Sequence, residues 1–125
     1  MKIVFDTYAW IEYFLGSERG KIVETHLNEE VITPFIVLLE LSYRADKEGW
    51  NFKKYLNFIK IRSRITGVTE EFILKFGQTY NTIKKDVAGI GMADIIVLQT
   101  AIEENAKILT GDSHFKDIPR TIFLK

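Results

Sequence analysis

Short apolar runs rich in β-branched residues recur along this chain, with helix-period segments between them. No other feature limits the available folds as strongly. The runs are "KIVFD" (2–6), "EVIT" (30–33), "ITGV" (65–68), "KILT" (107–110) and "TIFL" (121–124). Runs of four or five such residues, bounded by polar or turn residues, read as buried strands. Between them lie "TYAWIEYFL", stopped by Gly16, and "SERGKIVETHLN", with Ser17 as a capping residue. "FIVLLELSYRADKE" runs to about Gly49, and "NFKKYLNFIKIR" places Phe52, Tyr55, Leu56 and Ile59 on one face. "TEEFILKFGQTYNTIKK" has Thr69 as its cap, with Glu70 and Glu71 in a first turn where the helix dipole favours anions. The last helix spans about 92–105, after the glycines at 89 and 91. Strands alternating with helices predict an α/β fold, a mainly parallel central sheet flanked by helices. No repeat, low-complexity tract or linker interrupts the 125 residues, so one domain over 1–125 is expected.

Two local expectations come with this pattern. Thr33-Pro34 reads as a helix start, with threonine capping and proline in the first helical position. The helix that follows is apolar on every side of its first turns, which predicts deep burial.

Four carboxylates stand out against this frame. Asp6 ends the first strand, Asp112 lies two residues past 107–110, and Asp94 opens the last helix. Ligands of open α/β sheets bind at the carboxyl ends of the strands. Glu40 sits among Phe35, Ile36, Val37, Leu38, Leu39 and Leu41, where a carboxylate is costly without compensation. Each has a bland reading: Asp6 and Asp112 as turn or cap residues, Asp94 as a dipole-favoured anion, and Glu40 paired with Arg44 four residues on. If the four converge, hard cations such as Mg²⁺ or Mn²⁺ suit an all-oxygen donor set. Such ions lower the pKa of bound water and stabilise in-line displacement at a phosphodiester.

The order and spacing of "VFDT" (4–7), "TPFIVLLEL" (33–41), "GMADIIVLQTA" (91–101) and "ILTGDSHF" (108–115) resemble the PIN domain, and within it the VapC-type toxins of toxin–antitoxin pairs. The resemblance runs from residue 3 to the C-terminus. It implies a metal-dependent ribonuclease whose four acidic positions fall on Asp6, Glu40, Asp94 and Asp112, with Mg²⁺ or Mn²⁺ as cofactor. It also implies that the Thr110 hydroxyl supports the site by hydrogen bonding. Thr7, beside Asp6, carries no assigned role. A cognate antitoxin that lays a helix in a groove, and a homodimer, are further implications. Aromatic residues near 8–14 and 43–58 are the expected groove.

An RNA substrate requires cations along its backbone. Arg44, Lys47, Lys84, Lys85 and Lys116 are candidates, as is "KIRSR" (60–64); the plain alternative is that each is a solvated surface charge. His114 reads either as a phosphate contact or as a surface or capping histidine. Net charge does not decide, since 17 lysines and arginines balance 17 acids.

Other chemistries are excluded. With no cysteine there is no disulfide, thiol catalysis or cysteine-based zinc site. No glycine-rich loop ends in Lys-Ser or Lys-Thr, so the chain is not a P-loop enzyme. A receiver-type phosphoacceptor expects paired acids after the first strand and a lysine after a late one; Asp6 stands alone and "ILTGD" has no lysine. A non-catalytic PIN-like module that binds RNA or protein is the remaining alternative, against which the intact acids count. An early acid and the lack of a long apolar run predict neither a signal peptide nor a membrane span, hence a cytoplasmic protein.

Overall fold

The computed structural model describes residues 1–125. Its elements follow in the order β1 (Lys2–Phe5), α1 (Thr7–Leu15), α2 (Glu18–Thr25), β2 (Glu30–Pro34), α3 (Phe35–Glu48), α4 (Phe52–Arg62), β3 (Arg64–Thr66), α5 (Glu70–Asp86), α6 (Met92–Glu104), β4 (Lys107–Thr110), a 3₁₀ turn (Ser113–Phe115) and β5 (Thr121–Phe123). The sheet has five strands in the order β3-β2-β1-β4-β5, and every pairing is parallel. This is the α/β architecture expected from the alternation.

The central strand carries the core. Ile3, Val4 and Phe5 of β1 are wholly buried, as are Ile108 and Leu109 of β4 beside it. Burying each such side chain stabilises the fold by about 1.5–3 kcal/mol. α6 is buried at every position from Ile95 to Ala101, which explains its near-continuous apolar run. α1 packs tightly on α2: a Cβ on Gly20 would lie 2.1 Å from the Glu12 carbonyl oxygen, so only glycine permits that approach. No helix is long and apolar enough to cross a membrane.

Three local expectations change. Thr33 does not cap α3. It belongs to β2 and is fully buried, its hydroxyl accepting the Trp10 indole N–H at 3.1 Å and pairing with the Ser63 hydroxyl at 2.8 Å. Pro34, at φ −65° and ψ 147°, keeps the strand's extended backbone, and the helix begins only at Phe35, without a side-chain cap. α3 is not deeply buried on every side either: it buries Val37, Leu41 and Ala45, one stripe at a spacing of four, while Leu39 is 55 % exposed. β3 covers 64–66 rather than 65–68, because its partner β2 ends opposite Thr66, at Pro34.

Candidate functional site

From β1 the sheet grows through β2 to β3 on one side, and the chain returns to lay β4 and β5 on the other. Such a switch point opens a crevice at the carboxyl ends of the two central strands. Phe5 is in register with Leu109, so Asp6 and Thr110 emerge side by side there. Asp6 caps α1, its Oδ1 accepting the Ala9 N–H at 2.9 Å. Asp112 caps the 3₁₀ turn, its Oδ1 accepting the His114 N–H at 2.8 Å. The capping readings of both residues are therefore true, and they coexist with the convergence. Asp94 lies in the first turn of α6. Glu40 reaches the group from α3 and accepts a 2.6 Å hydrogen bond from the Thr7 hydroxyl.

The electrostatics join the four acids into one cluster. Asp6 is only 5 % exposed. Burial pushes its carboxyl up to about 7; the charges of Asp94 and Asp112 add to this, and hydrogen bonds from Thr110 and Ala9 oppose it. Asp94 is pushed up to about 6 by burial, then by the charges of Asp112 and Glu40, with His114 opposing. No lysine or arginine pairs with any of the four. Arg44 turns instead to Glu48 at 3.7 Å and to the face of Trp50 at 5.7 Å, so the proposed Glu40–Arg44 pair does not form. The ion-pair partner within reach is His114, whose Nδ1 lies 2.8 Å from Asp112 Oδ1 and 4.0 Å from Asp94 Oδ2. Donor atoms of Asp94, Asp112 and His114 all lie within 4.8 Å of one another, close enough to share a cation. Acids crowded together and short of cationic side chains are the donor set that a divalent ion suits.

The supporting residues are specific. Thr110 is fully buried; its hydroxyl accepts the Asp112 N–H at 3.0 Å and hydrogen-bonds Asp6, bridging two of the acids. A Cβ on Gly111 would lie 2.2 Å from the Tyr8 ring, so glycine lets α1 close over the β4 exit. Two contributors were not legible beforehand. Thr7 acts on a residue 33 positions away, which no local pattern reveals. His114 had a faint signal, its i+2 spacing from Asp112, where a capping turn folds the ring back onto the capping carboxylate.

The basic candidates divide. Lys84 donates to the Ile90 carbonyl at 2.7 Å, close to the start of α6, and lies 5.7 Å from the Tyr80 ring centre. Lys85 and Lys116 are exposed. "KIRSR" is not at the site: Arg62 bonds the Leu27 carbonyl, and Arg64, opening β3 at the opposite end of the sheet, pairs with Glu104 at 2.6 Å. The aromatic residues form a zipper between α1 and α4. Phe14 stacks on Tyr55 at 4.2 Å and Tyr13 on Phe58 at 5.4 Å, while Trp10 is fully buried. Tyr13, Phe14, Tyr55 and Phe58, with Glu24 and Lys54, line a shallow groove there.

Comparison with known proteins agrees with this architecture. The model of the PIN domain family matches residues 3–121. Among solved structures, VapBC2 of Rickettsia felis, bound to a DNA fragment from its promoter, is similar at TM-score 0.75 and 22 % identity, covering 98 % of this chain and 97 % of that one. A toxin–antitoxin complex from Klebsiella pneumoniae is similar at TM-score 0.77 and 17 % identity, covering 98 % of each chain. VapC20 of Mycobacterium tuberculosis, a toxin that cleaves the sarcin–ricin loop, is similar at TM-score 0.71 and 17 % identity, covering 94 % of this chain and 95 % of that one. No curated protein matches the sequence.

Proposed function

The chain belongs to the PIN domain family, and from that premise we propose that it is a metal-dependent endoribonuclease, the toxin of a toxin–antitoxin pair, acting in the cytoplasm as one domain over residues 1–125. The observation that carries this reading is the gathering of Asp6, Glu40, Asp94 and Asp112, from four separate elements, at the switch point of the sheet. Asp94, Asp112, Asp6 and Glu40 would hold Mg²⁺ or Mn²⁺. When bound, such an ion activates water and neutralises charge at a phosphodiester.

The chain's own groups prepare the site. Thr7 holds Glu40 in one orientation, and Thr110 holds Asp6 and the Asp112 backbone. Helix and turn caps fix Asp6 and Asp112 before any ligand arrives, so little reorganisation is left for the reaction itself. Lys84, bonded to the Ile90 carbonyl near the start of α6, and the exposed Lys85 and Lys116 are proposed to meet the RNA backbone. Arg44 is the weakest of the basic candidates, because Glu48 and Trp50 already engage it.

Two protein partners belong to the proposal. The aromatic groove between α1 and α4 would receive an antitoxin helix. A second copy of the chain would cover the apolar surface of α5 and α6, where Ile73 and Met92 are 63 % and 59 % exposed around a depression floored by Phe72 and Phe76. Light scattering at micromolar concentration should then report a dimer, and a monomer would remove that part alone.

The deciding experiment is cleavage of a structured RNA pool by purified protein with Mg²⁺, with Mn²⁺ and with EDTA, beside Asp94→Asn. Metal-dependent cutting that the variant loses, with its circular dichroism unchanged, is the expected result. Cutting that survives in Asp94→Asn refutes the site. A folded protein that binds RNA without cutting under either metal moves the non-catalytic module to the front.

A further inference from the structure

His114 is the one nitrogen donor inside the carboxylate cluster, and its position is fixed from three directions. Asp112 caps the turn that carries it, so Nδ1 faces the Asp112 carboxylate at 2.8 Å. The next residue, Phe115, is fully buried and anchors the turn in the core. On the other edge of the ring, Gly89 lies so close that a Cβ there would be 3.4 Å from Nε2. Nδ1 is therefore turned inward, 4.0 Å from Asp94 Oδ2.

These separations suit a shared coordination sphere. Donors bound to one ion at about 2.1 Å lie about 3 Å apart when adjacent and about 4.2 Å apart when opposite. The 2.8 and 4.0 Å separations of Nδ1 from the two carboxylates correspond to those values. Without an ion Nδ1 hydrogen-bonds Asp112, and the 4.0 Å between Nδ1 and Asp94 Oδ2 leaves room for an ion that would take the place of that bond. We propose that His114 Nδ1 is itself a ligand of the catalytic cation, making the donor set mixed oxygen and nitrogen, and that the site therefore prefers Mn²⁺ to Mg²⁺. Mg²⁺ takes oxygen donors and releases water reluctantly, whereas first-row transition ions accept imidazole readily. This inference rests on the carboxylate site proposed above and specifies its ligand set.

The test reads the metal directly. Mn²⁺ is added to the purified protein, nitrogen coupling to the ion is recorded by pulsed electron paramagnetic resonance, and Mn²⁺ and Mg²⁺ affinities are measured by calorimetry. Directly coordinated ¹⁴N should be present in the wild type, with Mn²⁺ bound at least about tenfold more tightly than Mg²⁺. His114→Ala should lose the ¹⁴N signal and about tenfold or more in Mn²⁺ affinity, with a much smaller change for Mg²⁺. His26→Ala should keep both, since His26 pairs with Glu29 outside the cluster. Mn²⁺ bound in the wild type without ¹⁴N coupling overturns the inference and leaves His114 orienting Asp112, while the carboxylate site stands. Failure to bind either ion overturns the site and the inference together. The wild-type spectrum decides even if His114→Ala does not fold.

Discussion

Replacing Asp6 by asparagine should make the metal-free protein more stable at neutral and alkaline pH. Folding raises the Asp6 carboxyl from 3.8 to about 7, chiefly by burial. Three units at about 1.4 kcal/mol each set an upper bound near ~4 kcal/mol on the cost of carrying this charge when folded. Asparagine caps α1 as well as aspartate does. It offers an amide where Thr110 now meets a carboxylate, a mismatch that costs about 1–2 kcal/mol. The net expectation at pH 8 is a variant about 2–3 kcal/mol more stable than wild type. The sign follows from linkage. A carboxyl raised by folding binds its proton more tightly in the folded chain, so its contribution to stability is complete below about pH 4 and is lost as pH rises through about 7. The advantage of the variant should therefore disappear near pH 4. Urea unfolding in EDTA at pH 4, 6 and 8 measures it, and Mn²⁺ should reverse the ranking by stabilising only the wild type. A variant no more stable than wild type at pH 8, or an advantage that does not change with pH, would refute the burial argument.

Three further outcomes are expected. Thr7→Val removes the 2.6 Å bond to Glu40; RNA cleavage should fall about tenfold while stability, read by thermal melting, changes by about 1 kcal/mol. Gly20→Ala sets a methyl group 2.1 Å from the Glu12 carbonyl oxygen; urea unfolding should show a loss of about 3 kcal/mol, because backbone rather than a flexible side chain must move. Fluorescence anisotropy with a non-cleavable RNA analogue should find affinity in EDTA at least about tenfold below that in Mn²⁺, since metal and RNA then share one thermodynamic cycle.

What was legible in the sequence is what depends on neighbours along the chain. β1, β4 and α6 were visible because β-branched runs and helical spacing act within a few residues, and caps such as Ser17 and Thr69 sat where expected. The four acids were visible as a group only through their places relative to those elements, together with the family resemblance. Long-range pairing was not legible. Thr33 read as a cap until the Trp10 indole and Ser63 drew its hydroxyl into the core. Leu39 read as buried because the sequence of α3 does not say which stripe meets the sheet. Arg44 read as a partner for Glu40, but Glu48 stands at the same spacing on its other side and takes it. Thr7 and His114 matter through where they end up, and neither has a local signature that separates it from an ordinary helix or turn residue.

The charge distribution bears on how RNA could reach this site. The chain carries equal numbers of acids and bases, 17 of each, so net charge attracts no polyanion. The crevice itself is acidic, and its only ion-pair partner is a histidine. A phosphodiester approaching the four carboxylates unaided would meet repulsion in a partly desolvated pocket, where charges are poorly screened. No lysine pairs with the acids to remove it, and Lys84 is tied to the Ile90 carbonyl. A divalent ion at the acids changes the sign of the field where the scissile phosphate must sit. Under the proposed function, the arrangement that makes the metal-free site costly to fold would also make RNA binding conditional on the metal. On this reading, mutations that relieve the repulsion should raise the stability of the metal-free protein and make RNA binding less dependent on the metal.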